Sequence, residues 1–193
     1  RGDAYLDIAG LKDEMKSWKF PLHFIDFETS AVALPFYEKM RPYEQIAFQF
    51  SHHRVDLNDD GTYKVTHAGQ FINTTPGHFP NFDFIRALKA ELDKDGGTIF
   101  RYSNHENTIL REIHRQLEAH NEPDKKELQY FIDSITHYEE DKVKFVGERD
   151  MVDLADVVLK YYFHPYMKGS YSIKVVLPSV QNSSDFIKAK YLE

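Results

Sequence analysis

The chain has 193 residues, 41% of them apolar and 15% aromatic, enough for one domain with a sizeable core. Its 24 basic and 31 acidic side chains leave a formal charge of −7, which excludes binding of nucleic acid or an anionic membrane through a broadly basic surface. With no cysteine, disulfides, thiolate zinc sites and a cysteine nucleophile are excluded, and a reducing, cytoplasmic setting is expected.

No apolar run nears the ~20 residues that cross a bilayer, and no signal-peptide pattern opens the chain, so no membrane association is expected. The opening Arg1-Gly2-Asp3, without Met, is expected of a piece of a longer parent protein. Residues 1–19 are read as a helical lead-in, with a short helix over Leu11–Trp18, and 20–193 as one domain. After Pro21, the run Leu22–Glu28 has strand length. Gln45–Val55 and Tyr63–Ile72 are two more β-rich runs, and Asp56–Gly61 between them suits a reversal, which predicts an antiparallel hairpin. Asn81 is placed to cap a helix with Phe84, Ile85, Leu88 and Leu92 at helical spacing, ended by Gly96-Gly97. A short strand over Thr98–Tyr102 follows, then Asn104 is placed to cap a helix striped by Ile109, Leu110, Ile113 and Leu117. Further helices are predicted over Lys125–Tyr138 and Leu154–Phe163, with β-like segments near Phe145 and Met151 between them. A loop over Lys168–Ser172 and a terminal helix from Ser183-Ser184-Asp185 complete the chain. The fold class is α/β, a mixed central sheet in βββαβα order flanked by helices.

Side chains alternate along a strand, so Asp26 and Glu28 point the same way, roughly 6.5–7 Å apart along the backbone. Paired carboxylates on an otherwise apolar strand repel unless neutralised, and oxygen donors suit Mg²⁺ or Mn²⁺. A solvated strand end running into a Thr29-Ser30 loop is the plain alternative. Glu106 lies in the first turn of the helix after the fourth strand, where the helix dipole alone favours an acid. In a βββαβα order that strand commonly lies beside the first, which brings Glu106 toward Asp26 and Glu28. Three carboxylates then suit two divalent ions that activate water for phosphodiester cleavage.

The segment His23-Phe24-Ile25-Asp26-Phe27-Glu28-Thr29 resembles the first motif of DnaQ-like, or DEDD, 3′–5′ exonucleases, which have a ribonuclease-H-like fold. The chain looks more specifically like a bacterial domain of unknown function in that superfamily, through Phe100–Glu112 and Tyr161–Pro178. The resemblance covers most of residues 20–180. It implies metal-dependent 3′–5′ exonuclease chemistry on a single strand or 3′ end of DNA or RNA. Tyr102-Ser103-Asn104-His105-Glu106 stands where the superfamily's second motif usually ends in Phe-Asp. Glu106 thus replaces an aspartate and His105 an aromatic residue. The fourth aspartate of the last motif is not found, and a domain cut short before that motif, with the ligand beyond residue 193, is expected. A catalytically silent nucleic-acid-binding or scaffolding module of a larger nuclease or defence protein is the second reading, and another phosphotransfer or hydrolytic metalloenzyme the third.

Asp153, at a strand-to-helix junction with Asp150 and Asp156, is a secondary metal candidate if its strand runs beside the first; capping is the simpler role. Thr29, Asn104, Lys168, Ser172 and Lys174 are candidate phosphate contacts through hydroxyl, amide and ammonium groups. Asp56-x-Asn58-x-Asp60-Gly61 opens like a calcium loop, but its twelfth position is His67 rather than Glu, so a hairpin turn is expected. His52 and His53 are neighbours on a strand, cannot face one metal together, and are expected to be exposed.

Overall fold

A computed structural model of the chain describes residues 4–38 and 40–191. The chain divides into two compact units, residues 18–152 and residues 1–17 with 153–193.

The smaller unit holds β1 (Tyr5–Leu6), α1 (Ile8–Met15), α5 (Leu154–Tyr161), β9 (Tyr162–Phe163), a 3-10 turn (Pro165–Met167), α6 (Ile173–Ser183) and α7 (Asp185–Tyr191). β1 pairs antiparallel with β9, matching Tyr5 to Phe163 and Leu6 to Tyr162. This pairing ends the fifth helix at Tyr161, two residues before the predicted Phe163. Asp7 caps α1 by accepting from the Gly10 amide at 2.9 Å. The Tyr161 hydroxyl donates to Glu14 at 2.6 Å.

In the larger unit, β2 (Leu22–Ser30), β3 (Ile46–Leu57) and β4 (Tyr63–Ile72) precede α2 (Asn81–Leu92), β5 (Ile99–Arg101) and α3 (His105–Ala119), which is the expected βββαβα order. α4 (Lys125–Ile135), β6 (His137–Glu140), β7 (Val143–Val146) and β8 (Val152–Asp153) follow. The result is a five-stranded mixed sheet in the order β4-β3-β2-β5-β8, flanked by helices. β3 pairs antiparallel with both β2 and β4, and β5 lies parallel to β2. α4 stops three residues short of the predicted end because His137 and Tyr138 are drawn into the β6-β7 hairpin, where Tyr138 stacks on Phe145. The 56–61 segment is a plain turn: Gly61 takes φ +80°, and Asp60 accepts from the Thr62 amide and hydroxyl.

β2 explains the layering. Its residues Ile25 and Phe27 point into the core with Phe50 from β3, Phe84, Ile85 and Leu88 from α2, and Ile109 and Ile113 from α3. The intervening Asp26 and Glu28 are exposed. Gly97 has no room for a side chain, since a Cβ there would meet the Pro21 carbonyl oxygen at 1.9 Å.

Two polar assignments differ from the sequence reading. Pro80, not Asn81, occupies the cap position of α2. Asn81 is fully buried, accepts from the Ala47 amide at 2.8 Å and donates to Gln116 at 2.6 Å and to the Gln45 carbonyl at 3.0 Å. It thereby ties α2 to β3 and α3. Asn104 stands at the cap position of α3, but its side chain donates to the Thr108 hydroxyl at 3.3 Å rather than accepting from the helix amides.

His52 is also not exposed. It and His23 are each 1% accessible and share a hydrogen bond of 2.9 Å between His23 Nδ1 and His52 Nε2. His23 Nε2 lies 2.7 Å from Asp95 Oδ1, and His52 Nδ1 lies 3.5 Å from Glu91 Oε2. Burial, followed by the neighbouring His23, pushes the His52 pKa down, with Glu91 opposing. His114 is pushed down in the same way by burial and Arg111. A histidine that resists protonation in the folded chain but accepts a proton near its ordinary 6.5 when unfolded costs stability on acidification. Thermal stability is therefore expected to be full above about pH 6.5 and to fall as pH drops below it, well before ordinary carboxylates titrate. Melting curves between pH 5 and 8 check this. His52→Gln is expected to flatten that limb, and a melting temperature that rises on acidification contradicts the assignment.

Among the described residues no helix is long and apolar enough to cross a membrane.

Candidate functional site

Asp26 and Glu28 stand on the open face of β2, the central strand of the sheet. Across β3 their partners are Ser51 and Gln49, and Gln70 of β4 lies opposite Ser51, so polar side chains continue the face. Toward the start of β2 the same face turns apolar: Phe24 stacks on Phe100 at 4.9 Å, and Trp18 meets Phe100 edge-on at 4.8 Å. The carboxylates therefore sit where an apolar strip gives way to water. Among the described residues neither has a hydrogen-bond or ion-pair partner.

The register changes immediately beyond them. Glu28 faces Gln49 but Thr29 faces Ala47, so Phe48 is an extra residue on β3. A bulge here bends the sheet where the acids end and re-aims the side chains that follow. Thr29 Oγ1 then lies 3.3 Å from Nε2 of His105, the first residue of α3. The parallel pairing of β2 with β5, matching His23 to Ile99 and Phe24 to Phe100, brings this helix start to the end of β2. Ser103, in the left-handed region at φ 72°, turns the chain from β5 into α3. Glu106 follows in the first turn and is 4% exposed, unlike Asp26 and Glu28. His105 touches the strand end through Thr29, whereas the sequence reading treats it only as a departure from a motif.

Two unpartnered carboxylates offer oxygen donors suited to a hard divalent cation. Mg²⁺ typically takes one or two carboxylates and completes its shell with water and substrate phosphate. Among the described residues no group of three or more His, Cys, Asp or Glu has the arrangement to hold a metal ion. The donor set thus fits a cation that arrives with its substrate better than a closed protein cage.

Asp153 ends β8, which neighbours β5 rather than β2, and accepts from the Ala155 amide at 2.9 Å as the cap of α5. The condition under which it was a metal candidate, a strand beside the first, is not met. Lys168 and Ser172 belong to the smaller unit, in the loop before α6; Lys168 takes φ 50°. Lys174 is in the first turn of α6.

A cavity of about 300 Å³ lies away from the acidic pair and is lined by Tyr37, Glu38, Phe79, Phe82, Arg86 and His120, among others. Arg86 there is held by Asp124, Glu122 and Asp83, so its charge is already matched.

The comparisons with known proteins bear on family membership alone. No curated protein and no solved structure matches the chain. A family model described as a domain of unknown function (DUF2779) matches residues 23–172, which include most of β2, α3 and the loop before α6. The chain belongs to the DUF2779 family.

Proposed function

We propose that this is a ribonuclease-H-like domain that hydrolyses phosphodiester bonds at the 3′ end of a nucleic acid strand with the help of Mg²⁺ or Mn²⁺. One observation carries the reading: Asp26 and Glu28 stand exposed and unpartnered on one face of a central strand, beside the start of α3. A stability role does not account for them, because an exposed, unpaired like-charge pair contributes nothing favourable to folding.

Asp26 and Glu28 would hold the cation; Glu106, the third acid expected from the sequence, forms no three-ligand group with them among the described residues. When bound, the cation supplies neutralisation of the phosphate charge and a lower pKa for water. Gln49, Ser51 and Gln70 line the adjoining face with neutral donors suited to backbone oxygens. His105 keeps Thr29, and with it the end of β2, against α3. No broadly basic surface is needed when the charge that attracts the phosphate comes from the cation.

The burial of Glu106 favours a second reading, a domain that binds nucleic acid without cutting it. Calorimetric titration with Mn²⁺, alone and with a 3′-phosphorothioate oligonucleotide, separates the two. Hydrolase chemistry predicts Mn²⁺ binding that tightens with the oligonucleotide and is lost when Asp26→Asn is combined with Glu28→Gln. Oligonucleotide binding that ignores both Mn²⁺ and the double substitution supports the silent module and rejects the hydrolase.

A further inference from the structure

A second feature of the same sheet has different donor chemistry. His53 on β3 and His67 on β4 are direct cross-strand partners. A bulge creates this pairing: His52 faces Gly69 while His53 faces His67, so Ala68 is the extra residue. In unbroken register Ala68 would face His53, and His67 would face Arg54. The extra residue restores His67 to the position across from His53. Both side chains are exposed, and their ring centroids lie 4.9 Å apart at an interplanar angle of 65°.

We propose that His53 and His67 form a two-imidazole site for a nitrogen-preferring divalent cation of the Zn²⁺, Ni²⁺ or Cu²⁺ class. Each neutral imidazole offers one nitrogen lone pair, and imidazole suits these ions whereas carboxylates suit Mg²⁺ and Mn²⁺. Among the described residues His53 has no hydrogen-bond partner, so its nitrogens are available. Among the described residues His67 Nε2 meets only the exposed Gln70 Oε1, at 3.1 Å. The ladder from Gln49↔Ile72 to Leu57↔Tyr63 fixes the two backbones on either side of the pair, so little order has to be gained on binding. Among the described residues no third His, Cys, Asp or Glu joins them, and the remaining coordination positions fall to water or to an incoming ligand. The site lies on the face that carries Asp26, since His53 is two residues beyond Ser51, the partner of Asp26. It does not depend on the reading of the acidic pair as a hydrolase.

Calorimetric titration of tag-free protein with Ni²⁺ at pH 7.5 tests it. One saturable site is expected, weakened about tenfold or more in His53→Gln and again in His67→Gln, and unchanged when Asp26→Asn is combined with Glu28→Gln. Both histidines are exposed, so each variant is expected to melt like the parent without metal, and two independent substitutions guard against misfolding of either. Absence of saturable binding, or binding that survives both histidine substitutions, overturns the proposal. Loss of binding only in the carboxylate variant assigns the ion to Asp26 and Glu28 and also overturns it.

Discussion

Replacing Phe84 by Ala is expected to destabilise the 18–152 unit by about 3–5 kcal/mol. The ring is fully buried and is met edge-on by Phe27 at 4.9 Å, Phe50 at 5.4 Å and Phe71 at 5.9 Å. These three rings come from β2, β3 and β4, so one side chain of α2 packs against the whole antiparallel half of the sheet. Truncation loses the transfer energy of the ring and leaves a cavity that β-strands pinned by their own ladder cannot collapse to fill. Against a typical total of 5–15 kcal/mol this is a large fraction. Urea unfolding measures it as a lower midpoint at unchanged slope. A loss below about 1 kcal/mol would mean that Phe84 is not the packing centre described here.

Replacing Asp26 by Ala is expected to do the opposite: no loss of stability and, under the proposed function, a near-complete loss of hydrolysis. An exposed, unpartnered carboxylate contributes within about 0.5 kcal/mol to folding. Removing a ligand of a catalytic cation costs several kcal/mol of transition-state stabilisation, a rate loss on the order of 10³-fold. The two variants together separate damage to the fold from damage to the chemistry. Equal cleavage by Asp26→Ala and the parent protein would reject this strand as the site.

What the sequence made legible was largely local. The alternation of Phe24, Ile25, Asp26, Phe27 and Glu28 placed both acids on one face, and the turn residues of 56–61 placed the hairpin; both depend only on near neighbours. Pairings between distant segments were harder to see. That His52 and His53 point to opposite sides follows from the strand period, but which side is buried depends on the register with β2, where His23 lies opposite Arg54 and bonds His52, the partner of Ile25 two residues along. Nothing in the composition around Ala68 marks it as the extra residue that sets His67 across from His53. Asn81 carries a strong capping preference, yet Pro80 fits the cap position and frees the amide for a buried network with Gln45 and Gln116. An acid in the first turn of a helix is favoured by the dipole whether it is buried or exposed, so the burial of Glu106 was equally invisible.

The most direct test is the fate of a single-stranded oligonucleotide labelled at its 5′ end and incubated with the purified protein and Mn²⁺. The proposed chemistry predicts a ladder of products shortened stepwise from the 3′ end, absent with chelator and absent with Asp26→Ala. An oligonucleotide that stays intact in Mn²⁺ and in Mg²⁺, or a ladder that persists in the Asp26→Ala protein, contradicts it.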